Sequence, residues 1–432
     1  MDGAHRAHGS LTGTVHRMLD ASGLRICENV LAHQVASDVG TSMDEAWRSG
    51  RDHGQRTAFP PVSEAGHVFR WLETGATAFE AMLQCIERAQ YSVALEFYIC
   101  KPGAVADRFR SALIAARLRG VGVQVLLDAF GSDGVGRGYW RELELLGGQL
   151  RWFNPVRLLR LTFRNHRKLV ITDRVTAIVG GLNLADEYDG DGVTHGWRDF
   201  ALKLQGPLVD ALTISFERMW ALAPFEPSSL RQFARAASRP CRDPFEPALL
   251  LSGPGCRTVD LHWQLYDDLR AASRVAVHAA YFLPSRQLGH VLADVALRCE
   301  VRILLPANSD VPVAKLATLH AIRRIDSTAI QFFEYVPQMM HGKLLVTDDV
   351  VYVGSANLDV RSRLINYELV LRIPAPALAS QAREMFDEDL KQSRPAIVAR
   401  PTWWEKLQQR GSYWLLARFD PYIATRKLRM LQ

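Results

Sequence analysis

Apolar and polar positions follow two periods along this chain, and the same order of periods occurs twice. A helix-period pattern leads into a short apolar, strand-like run, and turn residues follow it. Three pairs of segments correspond in this way: 78–99 with 261–284, 109–133 with 287–310, and 148–155 with 329–337. The pattern therefore predicts an internal duplication, with two α/β halves built alike.

The duplication divides the chain into five regions. They are an N-terminal extension at 1–64, a first half at 65–222, a linker at 223–247, a second half at 248–395 and a tail at 396–432. The linker is rich in proline and serine, which is typical of a connection between folded units. The extension shows neither period, and we assign it no role.

Each half carries the same polar residues at the same place. The first half reads RNHRKLVITDRVTAIVGGLN at 164–183, and the second reads MMHGKLLVTDDVVYVGSAN at 339–357. The shared residues are His166, Lys168, Asp173 and Asn183 in the first copy, and His341, Lys343, Asp348, Ser355 and Asn357 in the second. Because apolar residues alternate after each histidine, we expect the histidine and lysine to lie on one face of a strand, which a second strand then follows.

An imidazole, a fixed cation and an amide donor together suit a ligand whose oxygens carry negative charge, such as a phosphodiester. A single match of this kind would be weak evidence. Two matches at equivalent places of a duplicated unit indicate a shared function. The six cysteines contain no C-x-x-C pair, so the sequence signals neither a zinc site nor a disulfide framework.

The duplicated H-x-K-x4-D, followed by G-[GS]-x-N, resembles the phospholipase D superfamily and, more narrowly, the bacterial cardiolipin synthases. The segments that carry the narrower resemblance are RNHRKLVITD, GGLNLADEY, WRDFALKLQGPLV and GSANLDVRSRLINYEL. The resemblance covers about residues 65–395. The chain departs from the family at RCEV (298–301) and in the second motif, which is one residue shorter before its glycine.

This resemblance implies two phospholipase D-like α/β/α sandwich halves, related by a pseudo-twofold axis and sharing one active site. It implies His166 as the nucleophile that forms a phosphohistidine, and His341 as the acid that protonates the leaving alcohol. The phosphoryl oxygens would be held by Lys168, Lys343, Asn183, Asn357 and Ser355. No metal or other cofactor is implied.

The resemblance also concerns the carboxylates. Asp199 in WRDF and Glu368 in NYELV occupy the places where the superfamily keeps partners for His166 and His341. We expect the motif aspartates, Asp173 and Asp348, to hold the hairpin together rather than to touch substrate.

Charge and aromatic residues bear on the substrate. The net charge is +6, and residues 400–432 alone carry +5. Basic and aromatic side chains are mixed at 151–168 and again at 401–422. This mixture suits an anionic lipid surface, although a nucleic-acid backbone would also fit the first stretch. For the tail, an interfacial segment and a packed terminal helix both remain open.

We therefore expect a membrane-peripheral enzyme on the cytoplasmic side of the cell membrane, because we find neither a signal-like start nor a membrane-spanning run in the sequence. Its expected reaction converts two phosphatidylglycerols to cardiolipin and glycerol. A phospholipase D or a phosphodiesterase acting on nucleic acid, with water as acceptor, is the alternative. Nucleic acid is the less favoured substrate, no obligate protein partner is inferred, and a catalytically inactive lipid-binding protein is disfavoured because both motifs are intact.

Overall fold

The computed structural model describes residues 58–155, 163–224, 244–254, 259–325, 328–396 and 401–419. Most of the N-terminal extension and of the linker therefore lies outside the described residues. The first sheet begins at Val62, a few residues before the expected boundary at 65, and Phe59 and Val62 are buried against it.

The two halves are described by these elements. Strands β1 to β8 lie at Val62–Glu64, His67–Leu72, Ser92–Phe97, Gly122–Asp128, Gln149–Phe153, Leu169–Thr172, Thr176–Gly180 and Ala201–Gln205. Helices α1 to α4 lie at Gly75–Arg88, Ala104–Leu118, Arg141–Leu145 and Leu208–Leu222. Strands β9 to β18 lie at Ala248–Ser252, Arg274–Ala279, Phe282–Leu283, Glu300–Pro306, Ile330–Tyr335, Lys343–Val346, Val350–Gly354, Leu358–Asp359, Glu368–Pro374 and Ser393–Pro395. Helices α5 to α10 lie at Val259–Ala271, Arg286–Ala296, Pro312–Ile325, Val360–Leu364, Pro376–Lys391 and Trp403–Trp414.

Local sequence accounts for these elements. Helix α1, for example, begins at a capping box in which the side chains of Thr74 and Thr77 satisfy each other's backbone N–H groups. One face of α1 buries Phe79, Met82 and Ile86 against the sheet, at the spacing of an amphipathic helix.

Seven strands follow the same order in both sheets, which confirms the duplication; β1 is added at one edge of the first sheet and β18 at the opposite edge of the second. The first runs β1-β2-β8-β7-β6-β3-β4-β5, and the second runs β9-β17-β15-β14-β10-β12-β13-β18. Strands β3, β4 and β5 pair in parallel, as do β10, β12 and β13, and the motif hairpins join them antiparallel. Each sheet buries apolar side chains on both faces, and the central core joins residues of both halves, among them Leu202 and Leu369. The expected α/β fold in two halves is confirmed.

The motif strands begin later than their alternation predicts. In the first half the strand starts at Leu169, and His166 and Lys168 lie before it in irregular backbone. In the second half the strand starts at Lys343, so His341 also precedes it. The reason is that each histidine segment pairs with the other half instead of continuing its own hairpin.

Candidate active site

Two short backbone contacts between the halves bring the motifs together. Asn165 bridges to Tyr367, and Met340 bridges to Arg198, both in parallel. The residues that follow Asn165 and Met340 are the motif histidines, His166 and His341. The residues that follow Tyr367 and Arg198 are the carboxylates, Glu368 and Asp199. The backbone N–H of His166 donates to the carbonyl of Tyr367 (3.0 Å), and that of His341 donates to the carbonyl of Arg198 (2.8 Å). The pseudo-twofold arrangement thus places each histidine beside a carboxylate of the opposite half.

His166 is paired with Glu368. Its Nδ1 atom lies 3.0 Å from Oε2 of Glu368 and 3.1 Å from the carbonyl of Ser355, and the same Glu368 oxygen accepts from the hydroxyl of Ser355 at 2.6 Å. The ring packs on Tyr98 with centroids 5.0 Å apart. Because Nδ1 is engaged, Nε2 is left to face a ligand.

His341 is paired with Asp199, whose Oδ2 lies 2.7 Å from Nδ1. Aromatic rings surround it, with centroids at 5.1 Å (Tyr188), 5.5 Å (Trp197) and 6.4 Å (Tyr281). The hydroxyl of Tyr188 lies 3.4 Å from Nε2. The His341 side chain is 5% exposed and that of His166 is 12% exposed, so the His166 side of the site is the more open one.

The carboxylate partners are therefore exchanged with respect to the sequence prediction. Taken in order, that prediction assigned Asp199 to His166 and Glu368 to His341, and the structure contradicts it. Each carboxylate begins or precedes a strand of its own half, but the backbone bridges carry it to the histidine of the other half. Both residues do contact a motif histidine, as expected.

Burial and the two lysines set the charge of the site. Burial lowers the pKa of His166 to about 4; the attraction of Glu368 opposes this, and the charge of Lys168 adds to it. Burial and the charges of Lys343 and Lys168 hold the pKa of His341 well below its ordinary value. Burial lowers the pKa of both lysines as well, and each Nζ donates to the carbonyl of the preceding histidine at 2.7 Å.

The two carboxylates respond differently. Burial raises the pKa of Asp199 to about 6, although Lys343 opposes the shift. Burial would also raise the pKa of Glu368, but His166 and Lys168 hold it below its ordinary value. In the absence of substrate the site thus favours neutral imidazoles, and an entering phosphate would find two buried cations beside them.

Two buried polar clusters hold the backbone segments that carry or contact the motif histidines. In the first half Glu96 accepts from the amide of Asn165 at 2.7 Å and pairs with Arg167 at 3.2 Å. In the second half Asp389 pairs with Arg198 at 2.8 Å and with His278 at 2.9 Å. Residues 165 and 198 are the bridging positions, so both clusters hold the interface that orients the site. Sequence reasoning missed these clusters, because their members are far apart in the chain.

The motif aspartates lie away from the histidines. Asp173 accepts from the backbone N–H groups of Gln90, Tyr91 and Ser92, at 2.9, 2.7 and 2.8 Å. Asp348 accepts from the N–H of Ser273 at 2.6 Å. Each aspartate therefore ties its hairpin to the turn that enters the neighbouring strand, in keeping with the expected structural role.

The three expected phosphate ligands lie in different settings. Asn183 is buried, its amide nitrogen donates to Tyr188 at 2.7 Å, and its oxygen accepts from the N–H of Ile99 at 3.2 Å. Ser355 is buried and donates to Glu368. In this arrangement both residues position other side chains, and their expected contact with phosphate stays a prediction. The Oδ1 atom of Asn357 is buried and has no hydrogen-bond partner within the described residues, so Asn357 alone of the three offers an open group.

Two glycines are required by close approach at the site. A Cβ at Gly181 would lie 2.6 Å from Oδ2 of Asp199, and one at Gly342 would lie 2.6 Å from the ring of Phe200. The first would push the carboxylate away from His341, and the second would separate the two halves.

The basic stretch at 151–168 differs from the expected lipid-facing surface. Arg164, Arg167 and Lys168 are buried, and Arg164 stacks on Phe130 at 3.9 Å. Arg151 stays at the surface and stacks on Trp220. Arg157 and Arg160 lie outside the described residues. The basic residues next to His166 are therefore buried in the protein and do not face a lipid surface, because the segment that carries them packs between the two halves.

Comparisons with known proteins agree with this geometry. The family described as "Cardiolipin synthase, PLD-like domain" matches residues 82–220 and 266–390, more than half of the chain. The chain is 31% identical over 355 residues to the major cardiolipin synthase ClsA of Bacillus subtilis (strain 168), covering 77% of this chain and 71% of that protein. It is also 31% identical to cardiolipin synthase A of Pseudomonas putida (strain W619), covering 84% and 78%.

Among solved structures, the phosphatidylserine synthase of Haemophilus influenzae Rd KW20 matches with a TM-score of 0.66 at 13% identity, covering 82% of this chain and 94% of that chain. This likeness concerns the fold. The superfamily that the duplicated motif predicts is confirmed, and the chain belongs to the cardiolipin synthase family of phospholipase D-like proteins.

Proposed function

We propose that this protein is a cardiolipin synthase-type phosphatidyltransferase, which converts two phosphatidylglycerols to cardiolipin and glycerol. The observation that carries the proposal is the single site formed by both halves, in which two histidines face carboxylates across the interface beside two buried lysines. Two of its relatives are named cardiolipin synthases, which supports the same chemistry.

In the first step, Nε2 of His166 attacks the phosphorus of the donor phosphatidylglycerol. The bond from phosphorus to the glycerol oxygen breaks, and the leaving oxygen takes a proton from His341. The products are free glycerol and a phosphatidyl group on His166. Two features favour this assignment: His166 is the more open histidine, and its Nδ1 is held by a carboxylate whose pKa is lowered.

In the second step, His341 removes the proton from a terminal hydroxyl of the second phosphatidylglycerol. The hydroxyl oxygen attacks the phosphohistidine, the P–N bond breaks, and cardiolipin is released with His166 restored. His341 must therefore be protonated when the donor is bound. The negative phosphodiester offsets the charges of Lys168 and Lys343 and so raises the pKa of His341 towards its ordinary value.

The lysines stabilise the charge that develops on the phosphoryl oxygens in both steps. Both side chains are buried, so their electrostatic effect on a bound phosphate is larger than it would be in water. Asn357 adds an amide beside Lys343, because both residues line the same cavity.

We propose further that the enzyme acts at an anionic membrane surface, on its cytoplasmic side, as a peripheral protein and without an obligate protein partner. Within the described residues, no helix has the length and hydropathy to span a bilayer. Helix α10 supports the peripheral role, because Trp403, Trp404 and Trp414 are 64%, 58% and 55% exposed. Aromatic rings of this kind favour the headgroup region of a bilayer.

Purified protein incubated with labelled phosphatidylglycerol vesicles tests the reaction. We expect labelled cardiolipin and glycerol, and acid quenching should trap label on the peptide that contains His166. Phosphatidic acid without cardiolipin would assign a hydrolase instead. Label trapped on the peptide around His341 would exchange the roles of the two histidines.

A further inference from the structure

The second half contains a cavity between its sheet and helices α5 and α6. Most of its lining is apolar: Leu265, Leu288, Leu345, Tyr352, Val353 and Val370. A cavity of this composition suits a hydrocarbon ligand rather than a polar one.

The cavity adjoins the phosphoryl site. Lys343 and Asn357 both line it, as do Gly354 and Ala356, which flank the Ser355 carbonyl beside His166. Two buried polar atoms of the lining, Oδ1 of Asn357 and Nε of Arg363, have no hydrogen-bond partner within the described chain. The lining therefore combines polar groups that adjoin the phosphoryl site with a larger number of apolar groups.

The two halves differ in the side chain at one position beside this cavity. Five residues after the motif asparagine, the first copy has Tyr188 and the second has Ser362. Tyr188 packs in the helix-side core of its half and reaches His341, whereas Ser362 lines the cavity. The second half thus has a small side chain at the cavity, whereas the first half has an aromatic ring at the matching position of the sequence.

The cavity also adjoins the tail. A second cleft is lined by Arg324 of α7 and by Tyr413 of the tail. It shares Pro284 and Ser285 with the cavity. Tyr413 and Ala417 of the tail pack with Leu283 in one cluster. The cavity therefore lies close to the helix that exposes three tryptophans.

From these observations we infer that the cavity binds one fatty acyl chain of the phosphatidyl group that is transferred. This inference rests on the proposed function and names the part of the substrate that the second half recognises. The phosphate lies at the histidines, the polar glycerol backbone lies near Asn357 and Arg363, and the chain runs between the sheet and helices α5 and α6.

Photolabelling tests binding without requiring turnover. A phosphatidylglycerol with a diazirine at the end of one acyl chain, in vesicles with the full-length protein, should label peptides that contain Leu265, Leu345 or Tyr352. Label confined to the tail helix or spread over the surface would overturn the inference. Because labelling is scored whether or not cardiolipin forms, a failed proposed function and a failed acyl site give different results.

A filled cavity provides the second test. Leu288→Trp should reduce cavity labelling and lower the ratio of kcat/KM on dioleoyl- to dibutyryl-phosphatidylglycerol by about tenfold or more, since even one methylene in an apolar pocket changes discrimination by about that factor. The matched control is Leu297→Trp just beyond the same helix, where the residue is 81% exposed and labelling and ratio should stay unchanged. An unchanged ratio in a Leu288→Trp protein with wild-type melting temperature would overturn the inference. If that variant does not fold, the labelling of the wild type decides.

Discussion

The Nδ1 atom of His166 lies 3.0 Å from Oε2 of Glu368, although the two residues belong to different halves and are 202 positions apart in the chain. The pair His341 and Asp199 repeats the relationship in the opposite direction at 2.7 Å. Each imidazole is therefore oriented by a carboxylate that its own half does not supply.

Glu368→Gln should lower kcat by about 10²–10⁴-fold while the protein stays folded, because an amide can present its N–H to Nδ1 and so favour the wrong tautomer, as in other histidine–carboxylate pairs. Asp199→Asn should act in the same way on His341. Steady-state measurements of kcat across a range of pH check this prediction. The plot of kcat against pH should change in shape as well as in height. Glu217→Gln, at an exposed ion pair with Arg174, is the control and should leave the rate unchanged. A loss below about threefold in Glu368→Gln would contradict the positioning role.

Replacing either His166 or His341 with Ala should abolish turnover, by about 10⁴-fold or more, because both residues serve one site. Half of the wild-type activity in either variant would instead indicate two independent sites. EDTA should leave the wild-type rate unchanged, since the proposed steps use imidazoles and lysines. Product formation from labelled phosphatidylglycerol measures all three cases.

Acid should destabilise the protein through His166. Its pKa is about 4 when folded and 6.5 in the ordinary state, so the unfolded chain binds the extra proton first as the pH falls between these values. The free energy of unfolding should fall there by about 1.4 kcal/mol per pH unit more in the wild type than in His166→Gln. Asp199, whose pKa is raised to about 6, increases the free energy of unfolding as the pH falls. This contribution is the same in both proteins, so it cancels when their stabilities are compared.

Urea unfolding at several pH values between 7 and 4 measures this difference. His195→Gln, at an exposed histidine, should follow the wild type. Parallel curves for the wild type and His166→Gln would contradict the prediction.

Asp173→Ala should cost about 3 kcal/mol of unfolding free energy, because three backbone N–H groups lose a charged acceptor and Ala is disfavoured at a φ of 53°. Asp173→Asn should cost less, since Asn tolerates this backbone conformation. Denaturant titration ranks the variants, and the kcat of the folded protein should stay within about threefold of wild type. A normal stability with a lost kcat would show that Asp173 acts in the chemistry instead.

The tail should carry membrane binding on one face and packing on the other. Serine at Trp403, Trp404 and Trp414 should weaken sedimentation with phosphatidylglycerol vesicles, mainly the part that salt does not remove. The basic residues of the tail contribute about 1 kcal/mol each near an anionic surface before screening. Activity on a short-chain, water-soluble substrate should be retained.

Tyr413→Ser is the matched variant, because Tyr413 is buried against Ala317 and Ala321 of α7. It should lower the melting temperature rather than vesicle affinity. The tryptophan variant could instead lose activity equally on phosphatidylglycerol vesicles and on the short-chain, water-soluble substrate, and melt at a lower temperature. That result would show that the tail serves only the fold. On this prediction, the two interpretations of the tail that the sequence left open apply to separate faces of one helix.

The sequence predicted the duplication and the motif residues because both depend on local periodicity and spacing. Its assignment of the carboxylates to the histidines was wrong, since the pairing depends on how the halves meet at Asn165 and Tyr367. It also missed Tyr98 and Trp197, whose only signal is an aromatic side chain close to a strand end or to Asp199. Asn183 and Ser355 were expected at the phosphate, which stays a prediction. The sequence did not predict their hydrogen bonds to Tyr188 and Glu368, because those bonds depend on the folded arrangement.

The difference between Tyr188 and Ser362 has a consequence for how such a site can evolve. In a symmetric dimer of a single half, every substitution would appear twice around the shared centre, and the two approaches to it would stay identical. When both copies lie in one chain, each can mutate alone. Here one copy has an aromatic ring against a motif histidine, and the other has a serine that lines a cavity. The two halves of the site are therefore no longer equivalent, and each can adapt to a different one of the two lipids in the proposed transfer reaction.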